Sequence, residues 1–291
     1  MNDLKQYLAE KKELVDRELD HLLPQPAGLE KSVCEAMRYS VFAGGKRIRP
    51  ILVFAAFEVC GGADAVVLPA ACSIEMVHAY SLIHDDLPAL DNGQFRRGQP
   101  TVHRKFGEAI AILAGDGLLT IAFETLSRCP SDLVAQLVAE LAGASGTAGM
   151  IGGQVADIEW TGKELTVPAL EYIHSHKTGA LITAAVRMGA ILAHADEAAL
   201  KELTGYGRSL GLAFQIADDI INVESPAEIS GKDAGTDAEQ GKPTYPKVFG
   251  VSQSRQQCQG LLNQAKKHLA PFGPRAAVLA AIADFIGARN M

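Results

Sequence analysis

Residues 198–223 read AALKELTGYGRSLGLAFQIADDIINV, and the spacing of their apolar members decides the fold class. Leu203, Gly207, Leu210, Phe214, Ala217 and Ile221 recur at three and four residues. At about 100° per residue that is one buried stripe on a helix. The same spacing fills roughly 30–43, 50–60, 66–86, 107–127, 131–150, 168–174, 178–194 and 255–287. Strand signals are scarce: aromatics make up 6% of the chain, and alternating Val, Ile and Thr bounded by turn pairs is hard to find. The chain is expected to be all-α.

Helix-breaking residues fall between these segments: Pro24 and Pro26, Gly44-Gly45, Gly61-Gly62, the stretch Pro88 to Pro100, Cys129-Pro130, Gly152-Gly153, and Pro243 with Pro246. None of these gaps is a long Ser/Pro/Gly linker and no fixed-period repeat emerges, so residues 1–291 are expected to form one helical domain. The longest polar interruption, Glu224 to Lys247, is of a length that is usually functional or mobile inside a compact domain.

The 291 residues carry 27 Lys+Arg against 34 Asp+Glu, a net charge of −7, with 48% hydrophobic and 21% charged residues. That composition can bury a core and excludes disorder as the dominant state. An acidic chain without a basic run argues against nucleic acid as the main partner. The opening MNDLKQYLAEKKELVDRELDHLL alternates charge with Leu and Val, unlike a secretory signal. Glu58, Glu75, Asp116 and Glu140 interrupt the best apolar runs, so no membrane insertion is expected. Cys34, Cys60, Cys72, Cys129 and Cys258 form neither a CxxC pair nor an even framework, which fits reduced thiols in a cytoplasmic protein.

Two carboxylate clusters lie at the ends of apolar helices. The first is Asp85-Asp86-Leu87-Pro88-Ala89-Leu90-Asp91. Pro88 cannot continue the helix, so the chain must turn and can bring Asp91 back toward Asp85. On the preceding helix His78, Ser81 and Asp85 share a face. The second cluster, Gln215, Asp218, Asp219 and Asn222, is again one polar stripe. Clustered carboxylates repel unless a cation sits between them, and hard oxygen donors with few His or Cys neighbours suit Mg²⁺ rather than zinc. A single Asp-Asp pair would read as a solvated helix end; two such clusters on apolar helices point to metal.

Basic residues are also grouped: Gly44-Gly45-Lys46-Arg47-Ile48-Arg49-Pro50, Arg96-Arg97, Lys177-Thr178, Lys232 and Lys242. Arg presents a planar fork to phosphate, Lys a point charge, and glycine lets the backbone approach closely. GxxxxGK[ST] is absent, so GGKRIRP is not a P-loop. Each basic pair alone is ordinary surface charge. Beside two metal-binding clusters they indicate two phosphate-bearing ligands, one bridged to metal and one held by Arg and Lys.

Rival constellations explain less. Ser81, His84 and Asp85 are close in sequence, but no GxSxG elbow is present. His84-Asp85 with His78 could belong to an HD-type metal phosphohydrolase, which leaves Asp218-Asp219 and the basic groups unexplained. His103, His174 and His176 lack zinc-helix spacing and read as surface or loop histidines.

Taken together, Asp85-Asp86-xxxx-Asp91 followed by Arg96-Arg97, Phe214-Gln215-xx-Asp218-Asp219-Ile220-Ile221-Asn222, GGKRIRP, EMVHAYSLIHDDLPALDN, FGEAIAILAGD, GGQVADI, HKTGAL and GKDAGTDAEQGKPTYP resemble, in order, the blocks of the short-chain trans-prenyltransferases. The resemblance spans about residues 40–250 and is strongest to bacterial synthases of farnesyl diphosphate. It implies antiparallel helices around a deep central cavity, usually in a homodimer. It also implies Mg²⁺-assisted ionisation of an allylic diphosphate, attack by isopentenyl diphosphate on the cation, and proton loss to pyrophosphate.

Carried over by position, Asp85 and Asp91 are implied to ligate two Mg²⁺ ions and Asp218 a third, with Mn²⁺ possible in their place. Arg96, Lys177 and Lys232 are implied to hold the allylic diphosphate. Lys46, Arg49, His78 and Arg97 are implied to hold isopentenyl diphosphate, with the Gly45 backbone nearby. Thr178 and Gln215 turn oxygen dipoles toward the cation, and 224–247 with Lys232 is the expected lid. Asn222 stands where the family commonly has Asp, which predicts a raised Mg²⁺ requirement unless Asp233 and Asp237 compensate through water. Tyr80, beside Ser81, lies about 7.5 Å deeper than Asp85 along the helix. In the family an aromatic there, with the two-residue insertion before Asp91, goes with a C15 product. Geranyl or geranylgeranyl diphosphate synthase is the near alternative, and a noncatalytic partner subunit a further one.

Overall fold

In a computed structural model, which describes residues 2–224 and 244–288, the apolar stripes become helices close to their expected limits. In chain order these are α1 (Asn2–Leu22), α2 (Lys31–Phe42), α3 (Ile48–Val59), α4 (Leu68–Asp85), α5 (Val102–Phe106), α6 (Glu108–Leu126), α7 (Val134–Ser145), α8 (Met150–Trp160), α9 (Val167–Ile173), α10 (Ala180–Leu192) and α11 (Glu197–Glu224). Beyond residue 243 follow α12 (Tyr245–Phe249), α13 (Val251–His268) and α14 (Ala277–Ala288). The described strands are β1 (Phe95–Arg96) and β2 (Gln99–Pro100), paired antiparallel. The all-α expectation holds.

Packing follows the apolar faces. α10 is buried over most of its length and lies between α3 and α11, while α4 packs on α6 and α11 on α13. One contiguous apolar core runs from Val15 and Leu19 of α1 to Ile286 of α14. Truncating a fully buried member such as Leu210 costs about 2–5 kcal/mol.

The structure corrects several details. Gly152-Gly153, expected to break a helix, lies inside α8. A Cβ on Gly153 would stand 2.1 Å from the Lys177 backbone nitrogen, so glycine serves close approach there. The 255–287 segment divides at a 3₁₀ turn, Ala270–Ala276, where Gly273 takes φ 56°. On α11 the burial is shifted: Phe214 and Ile221 are half-buried and Ala213, Ile216 and Ile220 take the core, because the 214–215–218–222 face opens onto a cavity.

The membrane expectation also changes. Ala65–Asp85, Glu108–Leu126 and Val134–Trp160 are each long and apolar enough to cross a membrane, since isolated carboxylates lower the average hydropathy too little. The protein itself covers 67% of the first window but 39% and 28% of the others. Those two carry exposed Ile112 and Leu113 on α6 and Ile151, Val155 and Ile158 on α8.

Candidate active site

α4 stops where Pro88 requires. Asp86 caps it, and the chain turns through Leu87 so that Asp91 N–H donates to the Asp85 carbonyl at 2.9 Å. The first cluster thus closes on itself as the sequence suggested. Past the turn, the tip of the β1–β2 hairpin places Arg97 (φ 53°) and Gly98 (φ 75°) in left-handed conformations, the pair of positive φ values that suits a two-residue hairpin. The hairpin aims Arg96 and Arg97 back at α4 and the GGKRIRP loop.

A cavity of about 1040 Å³ collects the residues singled out in the sequence. Asp85, Asp91, His78, Tyr80 and Ser81 line it from α4 and its turn. Gly45, Lys46 and Arg49 line it from the loop before α3, Arg96 and Arg97 from the hairpin, Lys177 and Thr178 from the segment before α10, and Gln215, Asp218 and Asn222 from α11. Lys232, with Asp233, Asp237, Lys242 and most of the expected 224–247 lid, lies outside the described residues.

In each Asp-Asp pair the second carboxylate is bonded to described residues of the protein. Asp86, nearly buried, accepts a two-pronged bond from Arg96, Nε to Oδ2 and Nη2 to Oδ1, both at 2.7 Å. Burial pulls the Arg96 guanidinium down, and Asp86 more than offsets it, so the group is held above its ordinary value. On α11, Asp219 accepts Tyr245 N–H on Oδ2 at 3.0 Å and Gln215 Nε2 on Oδ1 at 2.8 Å, with His174 Nε2 3.4 Å from Oδ2. His174 is therefore buried at the cavity wall, which corrects its reading as a surface or loop histidine; His103 is buried too, its Nδ1 3.1 Å from Thr101 Oγ1.

Lys177 and Thr178 sit in a π-helical turn, His174–Gly179, whose wide winding re-aims both side chains. Lys177 Nζ lies 2.6 Å from Asp157 Oδ2. Burial pulls its ammonium down, but Asp85, Asp157 and Asp91 together hold it above the ordinary lysine value. Thr178 Oγ1 donates to Gln215 Oε1 at 2.5 Å.

The basic loop is held from behind. Arg47, at φ 52° and 3% exposed, donates to Asp16 at 2.7 Å, to Glu75 at 2.7 Å and to the Val41 carbonyl at 2.6 Å. Removing one partner of such a buried set costs about 3–5 kcal/mol. With Arg47 turned inward, its neighbours Lys46 and Arg49 face the cavity. Lys46 Nζ rests 5.6 Å from the Phe285 ring centroid on α14. Arg97 Nη1 donates to the Gly44 carbonyl, and a Cβ on Gly45 (φ 126°) would meet the Arg97 guanidinium at 2.9 Å. Arg49 Nε is buried and has no hydrogen-bond partner among the described residues. Burial, then Arg49 and Arg97, push the His78 imidazole well below its usual range, which makes it neutral at pH 7.

Among the described residues no three of His, Cys, Asp and Glu converge tightly enough to hold a metal alone. Hard carboxylates on one cavity still suit Mg²⁺, which binds through one or two carboxylates and fills its shell with water and phosphate. His84 also lines the cavity, but its Nε2 meets the Ile112 carbonyl on α6 at 3.0 Å, which occupies the nitrogen that an HD-type metal cluster would need.

The sequence profile of the polyprenyl synthetase family matches residues 30–272. The chain belongs to this family. It is 46% identical to a geranylgeranyl diphosphate synthase of Cyanophora paradoxa, over 98% of this chain and 96% of that one. It is 44% identical to a farnesyl diphosphate synthase of Geobacillus stearothermophilus, over 99% and 98%. The solved structure of a Helicobacter pylori geranyltransferase complexed with magnesium and isoprenyl diphosphate superposes with a TM-score of 0.86, at 31% identity over 98% and 96%. This polyprenyl synthetase is thus a trans-prenyltransferase of the farnesyl and geranylgeranyl synthase type, and the phosphohydrolase reading falls.

The structural roles of four cavity-side residues of this family member escaped sequence reasoning: Asp157, Arg47, Glu75 and His174. Asp157 had a faint signal, one helical turn after Gly153 on an otherwise apolar stretch. Arg47 had none, because the backbone sign that turns it inward is invisible in GGKRIRP.

Proposed function

We propose that this trans-prenyltransferase is a farnesyl diphosphate synthase, acting as one catalytic unit on dimethylallyl and then geranyl diphosphate with isopentenyl diphosphate. Tyr80 carries the choice of length. It lines the cavity while only 6% exposed, its ring is edge-on to His84 at 5.7 Å, and burial with Asp85 nearby pushes its hydroxyl up to about 12, so it stays a neutral wall. Beside Ser81, it ends the space available to a growing hydrocarbon below Asp85.

The remaining roles follow from charge. Asp85, Asp91 and Asp218 would hold Mg²⁺, three ions per site or Mn²⁺ in their place; such ions supply positive charge to a departing pyrophosphate. Arg96 and Lys177, with Lys232, bind the allylic diphosphate. Lys46, Arg49, Arg97 and neutral His78 bind isopentenyl diphosphate near the Gly45 backbone, and the Arg49 Nε, without a hydrogen-bond partner among the described residues, supports an anion there. The allylic C–O bond breaks with its electron pair on pyrophosphate. The isopentenyl double bond then attacks the cation, and a proton passes to pyrophosphate. The apolar walls exclude water, and Thr178 and Gln215 face the cation.

The partners are therefore prenyl diphosphates. The exposed apolar stripe Ile151, Val155 and Ile158 with Ile112 and Leu113 supports a homodimer, and five free cysteines support a cytoplasmic location. Chain-length analysis tests the reading: the protein should release C15 product, and Tyr80→Ala should lengthen it. A C20 main product from the unaltered protein would make it a geranylgeranyl diphosphate synthase, and an unchanged C15 profile in Tyr80→Ala would remove Tyr80 as the floor.

A further inference from the structure

A hydroxyl beside a carbocation helps through its oxygen and hinders through its hydrogen, so the direction of the Thr178 proton matters to the ionisation step. That direction is set from a distance. Asp219 is 3% exposed and among its donors are two described ones: Tyr245 N–H meets Oδ2 at 3.0 Å and Gln215 Nε2 meets Oδ1 at 2.8 Å. His174 Nε2, 3.4 Å from Oδ2, adds a third contact that keeps the carboxylate from turning. A carboxylate only accepts, so Gln215 must present its NH₂ to Asp219. Its carbonyl oxygen then faces Thr178. That oxygen also only accepts, so the Thr178 hydroxyl must donate, as the 2.5 Å contact requires, and its lone pairs are left for the cavity that Thr178 lines.

We propose that Asp219 is a positioning residue that sets this polarity: acting through Gln215, it turns the oxygen of Thr178, rather than its hydrogen, toward the allylic cation. The inference rests on the prenyl-transfer reading above. It gives the second aspartate of the α11 cluster a task distinct from metal binding, and it explains why a carboxylate rather than an amide sits at that position.

Asp219→Asn tests it while keeping every heavy atom. Tyr245 N–H still demands an oxygen, so the new amide offers its NH₂ to Gln215. Gln215 turns over, its own NH₂ faces Thr178, and the hydroxyl proton swings into the cavity. With isopentenyl and dimethylallyl diphosphates, kcat should fall by about 10- to 100-fold, with both KM values and the Mg²⁺ concentration for half-maximal rate unchanged. In a Thr178→Val background, which has no hydroxyl to invert, adding Asp219→Asn should cost nothing further, whereas in Thr178→Ser the penalty should return. Equal penalties in the Thr and Val backgrounds, or a shifted Mg²⁺ requirement, would overturn the proposal by assigning Asp219 to stability or to metal. If Asp219→Asn does not fold, Gln215→Met unlinks the hydroxyl instead; because Gln215 also faces the cation, a penalty remains in Thr178→Val, but it must be smaller than in the Thr178 background, and equal penalties would overturn the proposal. The unaltered protein is the control: if it couples no substrates the functional reading fails, and if it is active with equal penalties only the relay fails.

Discussion

At the end of α4, Asp86 gives both oxygens to Arg96; on α11, Asp219 gives its oxygens to Tyr245 and Gln215. In each region the second aspartate of the pair is bonded to described residues, and there the likeness ends. The α4 turn still directs two carboxylates, Asp85 and Asp91, to the cavity, and a backbone bond between them holds the pair together. On α11 both Asp218 and Asp219 line the cavity, but Asp219 is engaged by Tyr245 and Gln215, and the next turn carries the uncharged Asn222. The commitments differ in kind as well: Asp86 fixes a guanidinium that lines the cavity, whereas Asp219 fixes a neutral amide and, through it, a hydroxyl. Two similar Asp-Asp strings thus become an electrostatically strong end and a weaker one.

The largest expected effect ranks the two ends. Asp85→Asn should lower kcat/KM on the order of 1000-fold and Asp218→Asn about 100-fold in a steady-state coupling assay; the reverse order breaks the comparison. Asp86→Asn is next. It removes the charge that aims Arg96 without removing a ligand, so KM for dimethylallyl diphosphate should rise about 10-fold while the half-maximal Mg²⁺ concentration stays put. A shift in Mg²⁺ dependence would make Asp86 a ligand after all. Asn222→Asp strengthens the weaker end and should lower the half-maximal Mg²⁺ concentration about threefold; an unchanged Mg²⁺ curve removes Asn222 as the cause of any raised requirement.

The smallest effect lies between the ends, at His78. Its imidazole is held below 6.5 by burial and by Arg49 and Arg97, whereas the unfolded chain takes up a proton near 6.5. The contribution to stability is therefore present above pH 6.5 and is lost as pH falls below it, at up to about 1.4 kcal/mol per pH unit. Urea melts between pH 7 and 5.5 should show this slope in the unaltered protein and a shallower one in His78→Gln. Equal slopes would place the acid sensitivity elsewhere.

Periodicity made the helices legible because each long helix buries one apolar face: Leu203, Gly207 and Leu210 sit where their spacing placed them. The Asp85–Asp91 turn was legible because proline permits little else there. Three features were not, each for a physical reason. Gly152-Gly153 carries the composition of a break and the function of a close contact, and only the neighbouring Lys177 backbone tells them apart. The π turn at His174–Gly179 depends on packing against α11, which no local spacing records. The inward turn of Arg47 depends on Asp16 and Glu75, 31 and 28 residues away. Apolar length was also a poor guide to membrane insertion, because a core helix such as α4 and a spanning helix share a composition.

The most direct test of the central claim, that both carboxylate ends act on one ionising allylic diphosphate, is to follow pyrophosphate release and new carbon–carbon bonds together. The protein is incubated with isopentenyl and dimethylallyl diphosphates and Mg²⁺. The account predicts one pyrophosphate for each bond formed, accumulation of C15 product, and a parallel fall of both signals in Asp85→Asn and, less steeply, in Asp218→Asn. Intact substrates with the unaltered protein, or pyrophosphate released without coupled product, would contradict it.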